Sequence, residues 1–136
     1  MESLRTLGLW CLVALATCAS DSVTKAALGE AAVLRVGQSI EVPAEDLRLG
    51  VSSVPQDSQC PEGVVCVWAG VAVVAVWVEK GSEPRQELLL STGKYAGHSS
   101  VAEYLGYQIE LVRVAPPKSG TIQQSDYKVT LVVTVK

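Results

Sequence analysis

Short valine-rich runs, each cut off by Gly, Pro, Ser or Asp at intervals of roughly 8–15 residues, constrain this chain more than any other feature. A run that short lets a strand form but stops a helix before it has enough turns to hold itself. Residues 31–36 read as a strand stopped by Gly37-Gln38, and 40–42 as a short continuation closed by Pro43. Residues 47–54 alternate Leu47, Leu49 and Val51 with polar neighbours, the period of a half-buried strand, and end at Pro55. The most apolar stretch is 64–68, a break at Ala69-Gly70, then 71–79. It falls short of the roughly 20 residues a spanning helix needs, and Val and Trp dominate it. It therefore predicts a buried strand or hairpin at the centre of a sandwich, with Trp77 in the core and Trp68 either there or on a ligand or partner surface built on the clamped loop. Gly81-Ser82 and Pro84 predict a turn before a strand at 86–90, and Pro116-Pro117 stops another at 107–114. Residues 127–135 close the chain with Val129, Leu131, Val133 and Val135 on one face. The one helix candidate is a single turn over 99–105, capped by Ser99 and ending before Gly106. The sum is an all-β chain: one antiparallel β-sandwich, or a small barrel, of about 7–8 strands.

The amino terminus reads differently. Arg5 precedes the apolar stretch 7–16, which has the length of a signal-peptide core and not of a membrane span. Leu15-Ala16-Thr17-Cys18 resembles a bacterial lipobox, in which small residues precede a cysteine that takes diacylglycerol before cleavage. That resemblance implies lipidation at Cys18, and with Ala19 following it, sorting to an outer membrane so that the domain faces the periplasm. Ordinary signal-peptidase cleavage near Ala14-Leu15-Ala16 or after Ala19 is the alternative and yields a periplasmic or secreted protein. An uncleaved anchor is a third course. The expected organisation is a lipoprotein-type signal peptide over 1–17, a tether over 18–30 and the β-sandwich domain over 31–136. Each acyl chain adds about 0.8 kcal/mol per buried methylene, so several chains hold such a domain at a membrane.

Cleavage at Cys18 removes Cys11 and leaves Cys60 and Cys66 to pair, in a compartment where disulfides persist. Asp57, Pro61 and Gly63 are turn formers, so the chain between the cysteines bends sharply. A bridge across so short a loop clamps it locally, stabilising by roughly 2–2.5 kcal/mol in the chain-entropy account. A zinc site would need four ligands in closely spaced pairs, and a redox couple would prefer Cys-Xaa-Xaa-Cys at a helix start. Neither pattern is present here. The segment Asp57-Ser58-Gln59-Cys60-Pro61-Glu62-Gly63-Val64-Val65-Cys66-Val67-Trp68-Ala69-Gly70 resembles one shared by small bacterial exported proteins and lipoproteins of uncharacterised function. The resemblance extends through Gly106-Tyr107, Pro116-Pro117 and the Tyr127 strand, and it implies no catalytic residue or cofactor. Gln59 stands where that pattern has Arg, which removes a charge that would pair with Asp57 or Glu62.

The remaining residues exclude more than they assign. A net charge of −3 with scattered Lys and Arg argues against a nucleic-acid partner, and there is no phosphate-cradling glycine loop. His98, the single histidine, sits in the loop-like Gly97-His98-Ser99-Ser100, and no serine lies in a nucleophile elbow. Glu45-Asp46 reads as an exposed turn, since neighbours on a strand face opposite ways. The expectation is a non-enzymatic exported envelope lipoprotein or periplasmic β domain, binding or structural, without catalytic, cofactor or metal residues. Two alternatives stand beside it. One is a protease-inhibitor-like or accessory subunit presenting the Cys60–Cys66 loop. The other is a small envelope hydrolase using His98 with Asp57 and Glu62. Partners are then a membrane, through the lipid anchor, and an envelope protein or small ligand.

Overall fold

The computed structural model describes residues 23–61, 63–117 and 122–136. Cys18, its lipobox and the expected signal peptide lie outside the described residues. Nine strands are seen among those described: β1 (Val23–Lys25), β2 (Ala31–Arg35), β3 (Ser39–Val42), β4 (Leu47–Asp57), β5 (Ala72–Lys80), β6 (Gln86–Ser91), β7 (Val101–Tyr104), β8 (Tyr107–Ala115) and β9 (Lys128–Val135). They form two sheets, one ordered β1-β3-β4-β5-β6 and the other β2-β9-β8-β7. All pairings are antiparallel except β1 with β3.

Alternation decides which side chains face inward. Leu47, Leu49 and Val51 of β4, and Ala72, Val74, Val76 and Val78 of β5, have no exposed surface. They meet Leu34 of β2, Ile109 and Leu111 of β8, and Val129, Leu131 and Val133 of β9 in one core. The fold class is therefore an all-β sandwich, as the sequence predicts. Within β5, Val73 and Ala75 on the opposite face are buried too, which accounts for the unbroken apolar run.

Three local features differ from expectation. Residues 64–68 are not a strand: they belong to the loop between β4 and β5, and Trp68 is 80% exposed. Residues 101–104 are strand β7 instead of a helical turn, because pairing with β8 satisfies their backbone along a full ladder. The tight Leu105-Gly106 turn, with φ of 44° and 83°, then reverses the chain into β8. Trp77 lies outside the core on the outer face of its sheet, half-buried, directly across from Gly50. A Cβ on Gly50 would stand 2.5 Å from the Trp77 indole nitrogen, so any larger residue would push the ring aside. The Arg85 guanidinium lies over that ring, 3.8 Å from its centroid.

The stretch read as a tether also enters the fold. Val23–Lys25 pairs with β3, and Ala26 is buried in the core. β4 carries irregularities between Val51 and Ser53 and between Ser53 and Gln56, where Pro55 is tolerated. The Gln124 amide satisfies both backbone groups of Val54 at this point, accepting from its N–H at 2.8 Å and donating to its carbonyl at 3.1 Å.

The register defines two ends of the sandwich. β4 runs from Leu47, opposite Lys80, to Asp57, opposite Ala72. The Asp57 end holds the β4–β5 loop, the start of the β6–β7 link at Thr92, and Tyr127 leading into β9. The other end holds the turn Pro43–Glu45, the β5–β6 and β7–β8 turns and Lys136.

Candidate functional site

The β4–β5 loop, residues 58–71, is built from its root outward. Ser58 N–H donates to the Val71 carbonyl at 2.8 Å, and Val71 N–H donates to Ser58 Oγ at 3.0 Å. Asp57 braces the root on both sides. Its Oδ1 accepts from Gln59 N–H at 3.0 Å, the Asx turn its position suggests, and its Oδ2 accepts from the Tyr127 hydroxyl at 2.9 Å. Burial first, and then this bond to a carboxylate, push the Tyr127 phenol up to about 12. Gly70 passes so close to Ser58 that an added Cβ would lie 1.5 Å from its carbonyl oxygen. Gly63, at φ 78°, supplies the bend that Pro61 begins.

Cys60 and Cys66 are bonded, with Cα atoms 6.0 Å apart. The ring they close faces water. Val64 is 56% exposed, Val65 100% and Val67 93%, with Trp68 beyond them. A loop closed over seven residues cannot turn its side chains back to the core, so hydrophobicity here does not mean burial. The signal for this was present in the sequence: the run 64–68 lacks apolar–polar alternation, holds one end of the cysteine bridge and stops short of Gly70.

No family model matches this chain. No curated protein and no solved structure matches it either.

Among the described residues of the hydrolase alternative, His98 and Asp57 are engaged separately. His98 forms a tight hairpin with Tyr95, exchanging backbone hydrogen bonds of 2.8 and 3.3 Å across Ala96 and Gly97 at φ 49° and 81°. The depression there is lined by Lys94, Tyr95, Ala96, Gly97, His98 and Ser99, with no carboxylate among them. Ser99 Oγ is committed to the backbone of Val101 at 2.8 and 3.3 Å. Asp57 is occupied by Tyr127 and Gln59, and Glu62 lies outside the described residues. Among the described residues, no three His, Cys, Asp or Glu side chains gather as a metal site.

Glu45 and Asp46 lie at the far end, in a turn as predicted, with Asp46 at φ 51°. The Tyr107 hydroxyl donates to Glu45, and Lys80 Nζ donates to that hydroxyl at 3.0 Å and to the Glu45 carbonyl. The bond to Tyr107 foremost holds the Lys80 amine above its ordinary range. This cluster locks the turn to both sheets, a role sequence spacing did not reveal because its members lie 27 to 62 residues apart.

Proposed function

We propose that this chain is an exported, non-enzymatic β-sandwich domain that binds through its Cys60–Cys66 loop. The observation that carries this is the near-complete exposure of Val65 and Val67, beside Trp68, on a loop that is closed covalently. Monomeric proteins rarely hold contiguous apolar side chains in water without a use for them. Closing the loop beforehand lowers the entropy lost on contact, so the same apolar surface binds more tightly than a free peptide would. The leader supports export, since a disulfide persists outside the reducing cytosol. The lipobox resemblance supports a membrane anchor at Cys18. A projecting, clamped loop also suits an inhibitor-like or accessory subunit, whose loop enters a partner's cleft.

Replacing Val65, Val67 and Trp68 together by Ser tests the contact role. These side chains support nothing beneath them, so stability should change by less than about 0.5 kcal/mol. Chemical crosslinking in the producing cell should lose the adducts formed by the native protein. An unchanged adduct pattern with the substituted loop would place the contact surface elsewhere.

A further inference from the structure

We infer that the surface met by this loop is a lipid bilayer: Val65, Val67 and Trp68 sit in the membrane–water interface, with the sandwich standing on its Asp57 end. This rests on the loop being the contact surface, and it names the partner. Three observations carry it.

The first is chemistry. Residues 63–71 contain no charged side chain, and the large exposed ones are three valines and a tryptophan. Trp suits the headgroup level, where its apolar body and its N–H both find partners, and aliphatic side chains enter the hydrocarbon beneath.

The second is direction. β1 is parallel to β3, and β3 is antiparallel to β4. β4 runs toward the loop, so β1 runs away from it, and the chain before Val23 joins the sheet from the loop's side. The start of β1 at Val23 therefore points toward the end of the molecule that carries the loop.

The third is reach. Val23 is level with Ser39, Gly50 and Trp77, five residues along β5 from Ala72 at the loop root, about 17 Å at strand rise. Cys18 is five residues before Val23, a span of at most about 17 Å. A lipid on Cys18 would thus hold Val23 within about 17 Å of the bilayer, no farther than Val23 stands from the loop root. With the loop end facing the bilayer, that tether leaves no depth between them for a protein domain of roughly 30 Å.

A photo-crosslinking phenylalanine placed at Val67 of the full chain, in the cell that makes it, reads the partner directly. The same probe at Glu83, exposed in the β5–β6 turn at the opposite end, is the control. Lipid adducts at Val67 and none at Glu83 are expected. Protein adducts at Val67 would overturn the bilayer assignment while keeping the loop as a contact surface. No adduct at Val67 would overturn both, and equal lipid labelling at the two positions would overturn the orientation. Brominated phosphatidylethanolamine–phosphatidylglycerol vesicles give a second readout on the purified protein. They should quench a component of the tryptophan emission that is missing in Trp68→Phe; quenching identical in both proteins would contradict insertion.

Discussion

Gly70 and Tyr127 show how single residues hold the loop in place. At Gly70 the obstacle is backbone, the Ser58 carbonyl, which cannot swing aside as a side chain would. Gly70→Ala should therefore lower unfolding stability by at least about 2 kcal/mol and loosen the root. A denaturant midpoint equal to wild type would show that the two segments separate freely. Gly50 differs in kind: its neighbour is the Trp77 ring, which can move, so the Gly50 contact is the more forgiving of the two. Tyr127 gives a pH signature. Its phenol is raised from 10.0 in the unfolded reference to about 12 in the fold. The stabilisation is complete below about pH 10, and it is lost as pH climbs through about 12, because the unfolded chain ionises first. Subtracting the Tyr127→Phe stability profile from that of wild type should leave a difference that shrinks over this window. A constant difference would mean that the bond to Asp57 does not control the titration.

Among the elements, the strands follow from alternation, and the loop follows from what interrupts it. β2, β3, β4, β5, β6, β8 and β9 lie where valine and leucine alternate or run unbroken between turn residues. β7 was obscured because Val101–Tyr104 is too short to show a period, and its partner β8 decides its state. Residues 64–68 have strand composition but no neighbour to pair with, since the bridge closes the chain on itself. Reducing that bridge should cost about 2 kcal/mol by returning loop entropy to the unfolded chain. The far-ultraviolet dichroism should keep its β form, because the sheets do not depend on the loop. Thiol titration of the unreduced, denatured protein should find Cys60 and Cys66 unreactive. Two free thiols would remove the clamp from the account.

At the scale of the whole molecule, polarity matters most. One end carries the locked Glu45–Lys80–Tyr107 turn, and the other carries the apolar loop, toward which the start of β1 points. The orientation requires an anchor at Cys18, so radiolabelled palmitate should enter the full chain and be absent from Cys18→Ala. An unlabelled wild type would leave the domain free of that tether. What the sequence determined by itself is what local chemistry can encode: strand periodicity, turn residues and a cysteine pair. These act over a few residues and hold in any context. Whether an apolar residue is buried is a different kind of fact, because it depends on a neighbour brought from elsewhere in the chain. Trp68 and Trp77 stand beside equally apolar neighbours in sequence, yet one lies in water and the other lies flat over Gly50. Only the tertiary structure, through the direction of β1 and the register of β4 with β5, turned the start of β1 toward the end that carries the exposed loop.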